Sequence, residues 1–128
     1  MVVDQSVLDD AEVDRLFHAL ADATRRDVLR RVLVEPASVS QLAAGYDMSF
    51  AAVQKHVAVL ERAHLVVKQR RGREQLVTGD VGQVRRAAAL LSSLEGLWRD
   101  RVGRMDALVA EIGAAGVDEG VVEGRPRG

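Results

Sequence analysis

Cysteine is absent from the sequence, which excludes an internal disulfide framework and any metal site built on thiolates. Aromatic residues make up only 3% of the chain, so its core must consist mainly of alanine, valine and leucine. Only two prolines are present. Because alanine and leucine are strong helix formers, this composition favours a largely helical fold.

Apolar runs long enough for a membrane are also missing. No stretch approaches the roughly 18 consecutive apolar residues of a transmembrane helix. The opening segment, MVVDQSVLDD, is acidic and lacks the basic segment and following apolar run of a secretory signal. We therefore expect a cytoplasmic protein with no membrane partner.

The chain has 128 residues, of which 48% are hydrophobic and 29% charged, as expected for one ordinary globular domain. Its net charge of −1 does not by itself indicate nucleic-acid binding, but the charges are unevenly distributed along the chain. Residues 1–22 are acidic, whereas residues 49–80 carry six Lys and Arg against three Asp and Glu. The second segment is either a local anion-binding surface or an ordinary solvated face.

Apolar periodicity predicts helices along the first third of the chain. A first helix is expected at about residues 9–22, and a second begins where Thr24 can act as its cap. The residues predicted to be buried in the second helix are Val28, Leu29 and Val32. A short third helix starts at Ser38 or Ser40 and ends at Gly45.

A fourth helix is predicted within the stretch MSFAAVQKHVAVLERAHLV, residues 48–66. Ser49 is its expected N-cap, and Val53, Val57 and Leu60 follow at the spacing of a buried helical face. The opposite face carries Ala51, Lys55, Ala58 and Arg62. Two short helices joined by a tight turn, the second with a small and polar outer face, indicate a helix-turn-helix.

Two strand-like runs, LVVKQRR and EQLVT, follow this helix and flank Gly72. Glycine supplies the backbone freedom that the tip of a hairpin needs. The tip is flanked by Arg71 and Arg73. A basic β-hairpin directly after a candidate recognition helix is typical of a wing.

The last long apolar pattern runs from about Val81 to about Ile112 and predicts a helix. The rest of so small a domain cannot cover the apolar side of such a long helix. We therefore expect the helix, together with the first helix, to pair with its copy in a second chain. Its predicted seam contains Leu91, Leu94, Trp98, Met105, Leu108 and Ile112. Glycine, charge and missing periodicity predict a disordered tail at residues 114–128, which leaves residues 1–113 as the domain.

Three stretches together resemble the winged helix-turn-helix repressors of the ArsR/SmtB family: LADATRRDVLRRV, MSFAAVQKHVAVLERAHLV and RRGRE. The similarity covers roughly residues 12–112, and the last helix resembles that of members without cysteine metal boxes. It implies a mainly α fold with a small β-hairpin wing, and a homodimer that represses transcription by binding a palindromic operator in double-stranded DNA. The residues expected at the dimer interface are Leu16, Leu20, Leu91, Leu94, Trp98, Met105 and Leu108.

The sequence departs from the family pattern at three positions. Ala23 stands where the family usually has the proline of DPTRR, Gln54 replaces the serine before KH, and His64 replaces the glycine of AGLV. The change at Gln54 affects base preference, because that position faces the groove. At the position of His64, a helix commonly ends on a residue with a positive φ, which glycine adopts easily. His64 therefore either accepts strain or ends the helix differently.

Side chains for both kinds of DNA contact, to bases and to phosphates, lie in and after the fourth helix. Gln54 can pair with adenine, Lys55 with guanine, and Ala51 can contact a thymine methyl group. His56 is either a phosphate contact or a packing residue, and Phe50 is either a packing residue at the turn or an apolar base contact. The predicted DNA-binding residues are Ser49, Phe50, Ala51, Gln54, Lys55, His56, Arg71 and Arg73.

Other functions have weaker support. The chain has three histidines and none in the last helix, so we predict no transition-metal site and no cofactor, and leave an effector open. No glycine-rich phosphate loop is present, and Ser49 and His56 lie roughly 10 Å apart on one helix, so an enzyme is not expected. The alternative is a winged-helix module that binds protein partners, although such a surface would expose more aromatic and apolar groups.

Overall fold

The computed structural model describes residues 7–116. In chain order the elements are α1 (Asp10–Leu20), α2 (Ala23–Val34), β1 (Ala37–Ser38), α3 (Val39–Ala44), α4 (Phe50–Arg62), β2 (Val66–Arg71), β3 (Glu74–Gly79) and α5 (Val81–Gly116). This is the mainly α fold with a small β-hairpin wing that the sequence predicts. The chain divides into two compact units, one ending at Ala89 and one starting at Leu90, so that the described part of the second unit is the remainder of α5.

Side-chain caps set the starts of α1 and α3. The Asp9 carboxylate accepts a hydrogen bond from the Glu12 amide at 2.8 Å, and the Glu12 carboxylate accepts one from the Asp9 amide at 2.9 Å. Ser38, one of the two predicted candidates, caps α3 through the same reciprocal arrangement with Gln41. Each cap satisfies amides that the first turn of a helix leaves without partners.

The predicted start of α2 at a Thr24 cap is wrong. Asp22 is the N-cap, and its carboxylate accepts a hydrogen bond from the Arg25 amide at 3.0 Å. The helix therefore begins at Ala23, and Thr24 lies inside its first turn. Because Asp22 belongs to the cap of α2, α1 ends earlier than predicted, at Leu20.

Strands β2 and β3 form the predicted antiparallel hairpin, with Arg71 opposite Glu74 at its tip. Gly72 is the first residue of the two-residue turn and has a φ of 62°, the positive angle that tight hairpin turns require there. A third strand, β1, was not predicted, because two residues are too few to show an alternating pattern. It pairs with β3, giving the strand order β1-β3-β2, and so connects the start of α3 to the wing.

The core of the first unit is formed by α2, α3, α4 and the sheet, with Ala19 contributed by α1. The residues of α2 and α4 that were predicted to be buried are all at most 7% exposed: Val28, Leu29, Val32, Val53, Val57 and Leu60. Leu16, predicted at the dimer interface, is completely buried within the chain. That assignment is corrected, because Leu16 has no surface to offer a second chain. Leu20 is half-buried and packs against the core.

The end of α4 depends on a left-handed residue. His64 has a φ of 62°, the Leu65 amide donates to the Leu60 carbonyl at 3.0 Å, and the His64 amide donates to the Glu61 carbonyl at 2.9 Å. These two hydrogen bonds form a Schellman motif, with Leu60 and Leu65 both buried beside it. Of the two alternatives drawn from the sequence, His64 therefore accepts the strain.

Helix α5 starts after Asp80, whose carboxylate accepts a hydrogen bond from the Gly82 amide at 2.9 Å. The helix reaches Gly116, so residues 114–116, which were predicted as tail, are helical; residues 117–128 lie outside the described residues. Its predicted seam residues are each more than half exposed: Leu91, Leu94, Trp98, Met105, Leu108 and Ile112. In the described part of the chain, every helix is too short or too polar to cross a membrane.

We expect His64→Gly to stabilise the protein by about 1 kcal/mol. Glycine removes a left-handed penalty of roughly 1–2 kcal/mol, and its larger loss of conformational entropy on folding offsets part of the gain. Urea denaturation measures the free energy of unfolding. His64→Ala is the matched control, because it removes the exposed imidazole but keeps the Cβ, and should give no gain. Equal gains in both variants would contradict the strain assigned to His64.

Candidate nucleic-acid interface

The first two turns of α4 present the predicted base-contacting residues to solvent. Ser49 is the predicted N-cap, and its hydroxyl oxygen accepts a hydrogen bond from the Ala52 amide at 3.0 Å. The predicted DNA-binding residues that are exposed in this segment are Ser49, Phe50, Ala51, Gln54 and Lys55. Behind them, Val53 and Val57 are 1% exposed. The rotation of α4 thus directs these side chains outward together.

An open groove of about 260 Å³ lies between the starts of α3 and α4 and the wing. Its lining residues are Ser38, Val39, Ser40, Phe50, Gln54, Arg70, Arg73, Glu74 and Gln75. Three predicted DNA-binding residues from two different elements, Phe50, Gln54 and Arg73, therefore share one groove. Two arginines against one glutamate make the lining positive, which suits a negatively charged ligand.

Arg70 is a groove residue that the sequence-based prediction missed. Side chains alternate along a strand, so Val66, Lys68 and Arg70 share one face of β2. Val66 is 2% exposed and Lys68 pairs with Glu61 of α4 at 3.3 Å, so this face lies toward α4. Arg71 falls on the other face and is exposed outside the groove lining. Alternation counted from the apolar Val66 is the signal in the sequence that identifies Arg70.

Arg25 joins α1, α2 and α4. Its guanidinium donates to the carbonyl oxygens of Ala19 at 2.8 Å and His18 at 3.0 Å, near the end of α1. Its Nη1 lies 3.3 Å from Nδ1 of His56 on α4. Because a guanidinium only donates hydrogen bonds, Nδ1 accepts this one in the neutral form of the imidazole, which then carries its hydrogen on Nε2. His56, 21% exposed, therefore packs against Arg25 and keeps its one donor, the Nε2 hydrogen.

Asp22 completes this junction from the start of α2. Its carboxylate accepts the hydrogen bond from the Arg25 amide and lies 3.9 Å from Nδ1 of His56. The Arg25 amide, followed by the positive charges of His56 in its protonated form and of Arg25, holds the pKa of Asp22 below its ordinary value of 3.8, although partial burial opposes this shift. The ionised carboxylate is thus the form that the fold stabilises.

The turn between α3 and α4 is attached to α2 through Tyr46. Its hydroxyl donates to the Asp27 carboxylate at 2.5 Å, and the Arg31 guanidinium lies over its ring, 5.3 Å from the centroid. Burial, followed by the hydrogen bond to Asp27, raises the pKa of Tyr46. Asp27 also pairs with Arg30 at 3.0 Å. These contacts hold the turn, and with it the start of α4, against α2.

Among the described residues, no three His, Cys, Asp or Glu side chains cluster in a way that could hold a metal ion. His18 and His64 are exposed near the ends of different helices, and His56 contacts Arg25. The chemistry that the groove does offer consists of hydrogen-bond donors, positive charge and one aromatic ring.

Helices α3 and α4, the tight turn between them and the β2-β3 hairpin form a winged helix-turn-helix, a class of DNA-binding module. A family model described as a helix-turn-helix domain matches residues 20–69. The HTH-type transcriptional regulator Rv2034 of Mycobacterium tuberculosis is 35% identical over 85 residues, which are 66% of this chain and 77% of that protein.

Solved structures show the same relationship. The ArsR family transcriptional regulator RHA00566 is 31% identical with a TM-score of 0.68, and the match covers 73% of this chain and 96% of that chain. An ArsR-like transcriptional regulator from Rhodococcus sp. RHA1 is 28% identical with a TM-score of 0.70, covering 77% and 92%. The chain belongs to the ArsR family and is a DNA-binding transcriptional regulator, which confirms the resemblance seen in the sequence.

The lowered pKa of Asp22 predicts a pH-dependent contribution to stability. A carboxyl group whose pKa falls on folding stabilises the protein above its unfolded value, near 3.8, and loses that contribution as the pH falls through the folded value. We therefore expect Asp22→Asn, which keeps an oxygen for the cap, to have a lower free energy of unfolding than wild type at pH 7. This deficit in the free energy of unfolding should become smaller as the pH falls below 3.8.

Urea titrations of wild type and Asp22→Asn across this pH range measure the deficit. Asp22→Ala is the comparison variant, because it also removes the cap and should cost a further amount of about 1 kcal/mol. A deficit in Asp22→Asn that stays constant with pH would show that the charge of Asp22 does not stabilise the fold.

Proposed function

We propose that the protein is a repressor that binds a palindromic operator as a homodimer. In this arrangement the two copies of α4 enter successive major grooves about 34 Å apart, and repression follows from occupation of promoter DNA. The observation that carries the proposal is the positive groove in which the exposed start of α4 faces the arginines of the wing. This function places the protein in the cytoplasm, in contact with chromosomal DNA.

Base readout is assigned to the exposed side of α4. Gln54 presents an amide that can bond bidentately to adenine, Lys55 can donate to guanine, and Ala51 can contact a thymine methyl group. All three side chains are exposed and lie on the segment that helix-turn-helix proteins place against base edges. The hydroxyl oxygen of Ser49 accepts the cap hydrogen bond, which leaves its hydrogen to donate to a phosphate.

Phosphate contacts are assigned to the wing and to His56. Arg71 and Arg73 are exposed at the hairpin tip, and Arg70 extends the positive surface into the groove. The Nε2 hydrogen of His56 provides one further donor at the surface of α4. These groups bind the DNA backbone and hold the register in which α4 reads bases, without specifying sequence themselves.

Homodimer formation is assigned to the exposed apolar side of α5. The five seam residues from Leu91 to Leu108 are between 53% and 61% exposed. A row of large apolar side chains at coiled-coil spacing gains free energy by burial against another helix, and a second copy supplies a matching row. Two copies related by a twofold axis also match the symmetry of a palindromic operator.

Fluorescence anisotropy tests the proposed operator binding. The labelled probe is double-stranded DNA from directly upstream of the protein's own gene, with a scrambled duplex of the same composition as control and salt varied. Tighter binding to the native sequence, with affinity falling as salt rises, is the expected result. Equal and weak binding to both duplexes would remove the support for this operator.

Two variants separate base readout from phosphate binding. We expect Gln54→Ala to relax base preference at one position of each half-site, with a loss of about 1–3 kcal/mol of discrimination. Arg73→Ala should weaken binding to all sequences alike and reduce the salt slope by about one. The same anisotropy assay, run on single-base operator variants, measures both effects. Binding unchanged in both variants would show that the groove does not contact DNA.

The dimer is tested by Trp98→Asp, which places a charge in the predicted seam of α5. Trp98 is 61% exposed in the single chain, so the change should leave the protomer folded and convert the dimer to a monomer in sedimentation velocity. Ser92→Asp is the matched control, because it adds the same charge to an exposed position of α5 outside the seam, and should remain dimeric. A stable dimer in both variants would exclude this seam as the interface.

A further inference from the structure

Phe50 is exposed, unlike the apolar residues of α4 that belong to the core. Its side chain is 47% exposed, whereas Val53, Val57 and Leu60 of the same helix are at most 1% exposed. Leaving an aromatic ring half in water forgoes part of the free energy that its burial would provide. Packing at the turn, one of the two alternatives drawn from the sequence, therefore covers only about half of the surface of this side chain.

The surroundings of the ring are polar. Ser40 of α3, Gln54 of α4, and Arg70 and Arg73 of the wing line the same groove. Such groups fit a ligand whose edge carries hydrogen-bonding atoms and negative charge. An aromatic ring among them fits a ligand that also presents an apolar group at one point of that edge.

The direction of Phe50 follows from its place in the helix. It is the first residue of α4, and long side chains on a helix point back toward the N-terminus, here the end placed against base edges. Gln54 lies four residues further along the same face, a separation of about 6 Å along the axis. Because stacked base pairs are about 3.4 Å apart, the two side chains reach positions within about two base pairs of each other.

The chemistry of the major groove identifies the ligand group. Base edges there consist of hydrogen-bond donors and acceptors, with one apolar exception, the C5 methyl group of thymine. We propose that Phe50 reads a thymine methyl group within about two base pairs of the adenine read by Gln54, a contact that rests on the operator binding proposed above. The two residues together select an A·T-containing element in each half-site.

Deoxyuridine substitution tests this contact, because it removes the methyl group of one thymine and leaves the base pairing intact. A duplex of about 30 base pairs, selected by the full chain from a random pool, accommodates two half-sites. Each thymine is replaced in turn, in both half-sites at once, and the dissociation constants are measured by anisotropy for wild type, Phe50→Ala, Phe50→Leu and Val67→Ala. Val67 is also 47% exposed but lies outside the groove lining, which makes it the matched control.

For wild type and Val67→Ala, one replacement should weaken binding about fourfold per half-site, the contribution of one buried methyl group. Phe50→Ala should bind the unmodified duplex more weakly and lose all sensitivity to that replacement, whereas Phe50→Leu should keep part of it. The leucine variant also provides the comparison if Phe50→Ala folds poorly.

Two other outcomes are distinguishable. A wild type that prefers the selected duplex over a scrambled one, but has no methyl sensitivity that depends on Phe50, would overturn the thymine contact and leave operator binding in place. A wild type with no preference for the selected duplex would overturn the thymine contact and operator binding together.

Discussion

Burial of one face of α4 is the constraint on which the rest of the interface depends. Val53, Val57 and Leu60 are at most 1% exposed and belong to the same cluster as the buried residues of α2 and the sheet. Each such side chain contributes about 1.5–3 kcal/mol when fully buried. Rotating α4 enough to expose this face would cost several kcal/mol, so Gln54 and Lys55 are held toward solvent by packing that they do not take part in.

Polar contacts then hold in place the two parts of the candidate interface, which are the start of α4 and the wing. Arg25 binds two carbonyls near the end of α1 and the His56 ring of α4, and Tyr46 attaches the turn before α4 to α2. The wing is held separately, by the pairing of β1 with β3 and by the ion pair between Lys68 and Glu61. A binding surface supported in this way stays close to its bound geometry before the ligand arrives.

Local signals in the sequence predict much of this arrangement. A side-chain cap and a 3.6-residue apolar repeat identify α4, and the glycine between two strand-like runs identifies the wing. Contacts between distant segments leave no such local pattern, so the bond between Arg25 and His56 and the two-residue strand β1 were not predicted. Apolar spacing showed that Leu16 is buried but not whether its own chain or a second one covers it. Thr24 and Asp22 are both good caps, and the choice depends on where α1 ends.

We propose that DNA is read in the groove between the start of α4 and the wing. Amide chemical-shift mapping of the isotope-labelled protein, titrated with a duplex that it selects from a random pool, tests this location of the DNA contact. The largest shifts should fall at residues 49–56 and 70–75, with much smaller shifts for the same protein titrated with a scrambled duplex. Largest shifts at residues 30–37, at and just after the C-terminal end of α2 and outside the groove lining, with α4 unaffected, would show that DNA binds elsewhere.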